Sequence, residues 1–101
     1  MKKEININDY ICRCAQVALL ERVPASLRAV SASIIRRKVI LRCIFDGEPG
    51  ATEKELILEA MRKFEFDMLD NYECELEIVS TPAPRKMLHL KNLIYWRYEA
   101  W

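Results

Sequence analysis

The sequence predicts an α+β fold, an antiparallel sheet of about four strands with two helices on its apolar face, in the order α-β-β-α-β-β. Three observations predict it. Two stretches repeat their apolar residues at helical spacing, four shorter runs are β-rich or strictly alternating, and clusters of turn-forming residues fall between them. The 101 residues, 51% of them hydrophobic, suffice for one core and are too few for two, so 1–101 is expected to be a single domain.

Asn8 or Asp9 is expected to cap the first helix, whose apolar positions Ile11, Ala15, Ala18 and Leu19 share a face; Pro24 marks where it must have ended. Leu27 to Ile35 then alternates, with Val30, Ala32 and Ile34 on one side and Ala29, Ser31 and Ser33 on the other, the pattern of a half-buried strand. Arg36-Arg37-Lys38 is the expected turn. Val39 to Phe45 follows as a second strand, with Leu41, Cys43 and Phe45 on one face and Arg42 on the other, and Asp46-Gly47-Glu48-Pro49-Gly50 stops it.

Thr52-Glu53-Lys54-Glu55 reads as a capping box that starts the second helix. Behind it Leu56, Ile57, Ala60, Met61, Phe64 and Met68 recur at helical spacing, and Glu59 with Lys63 is a favourable i, i+4 pair. Tyr72, Cys74, Leu76 and Ile78 alternate with Glu73, Glu75 and Glu77, the clearest strand in the chain. Thr81-Pro82-Ala83-Pro84 ends that strand because proline lacks the N–H a ladder needs, and Leu93 to Tyr98 is the closing strand. Trp96, Tyr98 and Trp101 are expected in the core, with an exposed edge as the alternative.

Several function classes lack their equipment. Charges interrupt every apolar run well short of the roughly 20 residues that cross a bilayer, so no membrane segment is expected. Lys2 and Lys3 are not followed by an apolar segment of the kind that directs secretion, and a cytoplasmic location is the expectation. Four cysteines, Cys12, Cys14, Cys43 and Cys74, are too few and too irregularly spaced for a disulfide framework. Reduced thiols are expected, with Cys14, Cys43 and Cys74 as small buried hydrophobes. The Cys12–Cys14 spacing directs two helical sulfurs to different sides, so neither a metal nor another cofactor is expected. His89 is the sole histidine and has no nucleophile or orienting carboxylate at a familiar spacing; the chain is read as a non-enzyme, with loss of activity on His89→Ala as the observation that reverses this.

The charge is strongly segregated although the net is only +1. Residues 1–45 carry nine Lys or Arg against three acids, residues 46–78 carry eleven acids against three bases, and residues 79–101 carry four bases against one acid. An acidic middle third points to a basic protein partner, because complementary potentials speed and orient association. Solvated faces explain charge runs equally well. Glu65, Asp67, Asp70, Glu73, Glu75 and Glu77 are the residues expected to contact that partner, since they gather near one helix end and along one strand. The opposite reading is a small nucleic-acid-binding regulator using Arg36, Arg37, Lys38 and Arg42 with Lys2 and Lys3, which the near-neutral total weakens.

The segment Leu19-Leu20-Glu21-Arg22-Val23-Pro24-Ala25-Ser26-Leu27-Arg28-Ala29-Val30-Ser31 and the later Lys38-Val39-Ile40-Leu41-Arg42-Cys43-Ile44-Phe45-Asp46-Gly47-Glu48 resemble a family of small bacterial immunity proteins, the inhibitors that accompany contact-dependent growth inhibition toxins. The ending Tyr95-Trp96-Arg97-Tyr98-Glu99 is similar to the aromatic-Arg-Glu close of that family, and the likeness spans most of the chain from Leu19. It implies a protein that neutralises the C-terminal domain of a cognate toxin, often a nuclease. The Arg-rich hairpin turn and the Pro82-Ala83-Pro84-Arg85-Lys86 stretch depart from the pattern.

Overall fold

Asn6 starts the first helix, rather than Asn8 or Asp9. The computed structural model, which describes residues 6–99, places the Asn6 side-chain oxygen 3.0 Å from the Asn8 N–H and 3.4 Å from that of Asp9. A cap must precede the donors it satisfies, which shifts the helix start two residues earlier than expected. Helix α1 (Ile7–Leu19) buries the expected stripe of Ile11, Ala15, Ala18 and Leu19. Strands β1 (Leu27–Ile35) and β2 (Lys38–Phe45) form the expected antiparallel hairpin through Arg36 and Arg37. Helix α2 (Ala51–Asp67) leads to β3 (Glu73–Ser80) and β4 (Asn92–Trp96), completing the order α-β-β-α-β-β.

The start of α2 also differs. Gly50 is the cap, and the Glu53 carboxylate, rather than that of Glu55, returns to its N–H at 2.7 Å. The other Glu53 oxygen accepts from the Ser26 hydroxyl, fastening the helix start to the β1 approach. Lys63 pairs with Asp67 at 3.1 Å instead of with Glu59, and Glu55 lies 3.6 Å from Arg62.

The sheet runs β3-β2-β1-β4 and is mixed, which corrects the expectation of an all-antiparallel sheet. β2 pairs with β3 in parallel over eight residues, from Lys38 with Glu73 to Phe45 with Ser80. The reason is α2: a helix between two neighbouring strands carries the chain back to the end where the first strand began, so the second runs the same way. β4 then pairs antiparallel with β1 at the opposite edge.

Both helices contribute to one apolar cluster with Val30, Ala32, Val39, Leu41, Cys43 and Phe45, while Cys74 and Leu76 pack against its margin. Cys14 and Cys43 are buried as expected, whereas Cys74 is only half-buried; all four thiols are free. Burial pushes the Cys43 thiol up to about 12, so it stays protonated and behaves as a hydrophobe.

β1 is not half-buried. Residues 81–91 cross from β3 to β4 over the sheet face away from the helices, and Met87 packs there against Ala29 and Ile44. Ser31 is fully buried under this crossing, its hydroxyl accepting from the Leu90 N–H at 2.8 Å. A long connection has thus covered the face that alternation alone assigns to solvent.

Candidate partner-binding site

The acids of residues 46–77 do not form one face. Asp46 follows β2 at one end of the sheet, whereas Glu73 pairs with the first residue of β2 at the other. Their side chains also have different work.

Glu75 and Glu77 project from β3 away from the helices, as Cys74 and Leu76 turn toward them, and neighbouring β2 bases meet both. Lys38 lies 2.9 Å from Glu75, and Arg42 lies 2.8 Å from Glu77 while also donating to the Leu88 carbonyl. The hydrogen bond from Lys38 to Glu75 holds the lysine above its ordinary range. Asp67 is half-buried, paired with Lys63, and its backbone oxygen accepts from the Tyr10 hydroxyl at 2.7 Å.

Glu65, Asp70 and Glu73 are exposed and make no ion pair among the described residues. α2 supplies the first, the α2–β3 loop the second and the first residue of β3 the third, and together they line one depression of about 500 Å³. Phe66 and Leu69 share its wall, and Phe66 is 85% exposed. Three carboxylates unpaired among the described residues thus share a depression with an exposed aromatic ring, over which the Lys63 ammonium lies 6.0 Å from the centroid. Of the six acids singled out in the sequence, Glu65, Asp70 and Glu73 line this depression, and Phe66 was not among the expected residues. Its signal was there: Phe66 falls two residues after the buried Phe64, off the apolar stripe of the helix.

The bases proposed for nucleic acid are largely engaged. Lys38 and Arg42 hold the Glu75 and Glu77 carboxylates, Arg37 lies over the Tyr72 ring at 5.5 Å, and Arg36 alone of the four is exposed without such a contact among the described residues. Lys2 and Lys3 lie outside the described residues.

The other end of the sheet holds a buried charge network. The β1–β2 register skips Arg28, a bulge that aims its side chain inward at 2% exposure. Its guanidinium grips both Glu99 oxygens, at 2.7 and 2.9 Å, and donates to the Thr81 and Arg85 carbonyls. Arg97 joins Glu99 to Asp46, which also accepts from the Ala83 N–H. Arg28 hydrogen bonding holds the Glu99 carboxyl below its ordinary range, and the Ala83 N–H followed by Arg97 does the same for Asp46. Glu99 in turn holds Arg28 above its own ordinary range.

Around this network the closing residues are more open than expected. Trp96 is 59% and Tyr98 89% exposed, which corrects their assignment to the core; Trp101 lies outside the described residues. β4 is an edge strand that ends at Trp96, so neither ring has a second layer above it. The His89 ring lies 5.7 Å from that of Trp96, and its buried Nδ1 has no hydrogen-bond partner among the described residues, so no carboxylate orients it through that atom. Among the described residues no group of His, Cys, Asp or Glu is placed to hold a metal ion, and no helix is long and apolar enough to cross a membrane.

The architecture is a mixed four-stranded sheet with both helices packed on one face. The model of the MafI2 immunity protein family matches residues 8–99, and the chain belongs to that family. Membership implies toxin neutralisation as its function and a cognate toxin protein as its partner. A search of curated proteins finds no match.

The residues that carried the resemblance now have a structural account. Arg28 of Leu-Arg-Ala-Val-Ser, Asp46 of Phe-Asp-Gly-Glu, and Arg97 and Glu99 of the closing segment come from three separate stretches of chain and meet in one charge network, in which Arg28 and Glu99 are buried and Asp46 is exposed.

Proposed function

We propose that this immunity protein neutralises its toxin by seating the Glu65, Asp70, Glu73 and Phe66 depression on a basic surface of the toxin C-terminal domain, covering its active site or substrate path. The observation that carries the reading is that these three carboxylates are unpaired among the described residues while their neighbours Asp67, Glu75 and Glu77 already have cationic partners. An unpaired, hydrated carboxylate is available to steer and hold a cation, and an exposed aromatic among such groups supplies apolar contact at low entropic cost. Asp67, Glu75 and Glu77, already paired, do not line the depression and flank it in this reading.

A nuclease suits this chemistry, because it must expose cations to hold phosphates, and carboxylates can occupy them in place of nucleic acid. Action in the cytoplasm fits the four free thiols. Co-expression with the C-terminal domain of its cognate toxin tests the reading. Wild type is expected to co-purify with that domain and protect growth, whereas Glu65→Lys/Asp70→Lys/Glu73→Lys is expected to do neither while remaining folded by circular dichroism. Protection by the triple variant equal to that by wild type refutes the surface.

A further inference from the structure

At the opposite end of the sheet, a cleft of about 640 Å³ opens between residues 84–89 and the segment that follows β4. Its floor includes Arg28, Arg97 and Glu99, whose charges are matched within the network. Its rim is different. Arg85 and Lys86 are exposed and have no ion pair among the described residues, and beside them stand the exposed rings of Trp96 and Tyr98. Trp, Tyr and Arg are the side chains that dominate protein interfaces, because each joins a large apolar contact to a polar group.

We propose that this cleft is a second protein-docking site, which takes an acidic segment of a partner protein, its carboxylates on Arg85 and Lys86 and its apolar side chains against Trp96 and Tyr98. Charge complementarity names the occupant: among the described residues the rim cations have no ion pair, whereas the one carboxylate lining the cleft, that of Glu99, is engaged by Arg28 and Arg97. A nucleic acid strand fits less well, since it needs a continuous track of cations to follow its phosphates, and among the described residues only two unpaired cations line this cleft. The docking site is independent of the carboxylate depression and of the toxin reading.

The test uses the full chain, labelled with ¹⁵N, and follows the Trp96 indole N–H by NMR. The probe is the capped hexapeptide Glu-Asp-Leu-Asp-Leu-Glu, compared with a version carrying Lys at each acid and with octauridylate. The acidic peptide is expected to shift the Trp96 resonance saturably, with affinity at least tenfold weaker in Arg85→Glu/Lys86→Glu and unchanged in Glu65→Lys/Asp70→Lys/Glu73→Lys. The exposed side chains of Arg85 and Lys86 can be changed without loss of the Arg28 bond, which goes to the Arg85 backbone oxygen. Absence of a shift, an equal response to the Lys peptide, tighter binding of the oligonucleotide, or full affinity in the Arg85/Lys86 variant each overturns the proposal.

Discussion

Arg28 brings a full positive charge into the interior, and its hydrogen bonds explain how the fold tolerates it. Four of its N–H groups have oxygen partners, two of them on the Glu99 carboxylate, whose side chain is 8% exposed. Removing one partner of such a pair strands the other without water, a loss of about 3–5 kcal/mol, against a total of about 5–15 kcal/mol for an ordinary domain. Glu99→Ala is therefore expected to lower the urea midpoint sharply at neutral pH. By contrast Lys38→Ala, which breaks a pair 45% and 46% exposed, is expected to leave the urea midpoint close to that of wild type. Acid should reproduce part of the Glu99 effect. Glu99 and Asp46 both hold their folded values below the ordinary carboxylate range, so their contribution is complete above about pH 4–5 and drains away as pH falls through those lowered values. Urea denaturation across pH 2–7 is expected to show this loss, with a smaller slope in Glu99→Gln.

Caps and crossings account for most of what the elements do and for what sequence reading could resolve of them. The β1–β2 hairpin turns on Arg36 at φ 59°, a left-handed conformation that suits glycine, and Arg36→Gly is expected to gain about 0.5–1 kcal/mol in equilibrium unfolding. Glu53→Ala is expected to cost about 1 kcal/mol, because it frees the Gly50 N–H and the Ser26 hydroxyl together. Every helix and strand was legible from periodicity, since the stripe of α1 and the alternation of β3 are local patterns. Cap positions were not, because Asn6, Asn8 and Asp9 have similar side chains and only backbone geometry decides among them. The parallel pairing of β2 with β3 followed from the helix between them, a connection that was visible in the sequence but read as part of an antiparallel layer. Burial of Ala29 and Ser31 depended on the path of residues 81–91, which no local pattern encodes.

The protein as a whole is polarised. Among the described residues, carboxylates without an ion pair cluster with Phe66 where β3 begins, and cations without one with Trp96 and Tyr98 where β4 ends. Sequence showed the acids as a block but could not divide them, because pairing is made across strands: Lys38 and Arg42 reach Glu75 and Glu77 only once β2 and β3 lie side by side. In the proposed reading that division gives neighbouring acids different roles. Association of a charged partner depends on unpaired groups through its rate and salt dependence, whereas an already neutralised pair contributes little to either. Stopped-flow association with the cognate toxin across a range of salt concentrations tests this most directly. Glu65→Gln/Asp70→Gln/Glu73→Gln is expected to slow association at least tenfold at low salt and flatten the salt dependence, while Glu75→Gln/Glu77→Gln leaves the rate within about threefold of wild type. Equal slowing by the two variants, or none by the first, would contradict recognition through the unpaired carboxylates.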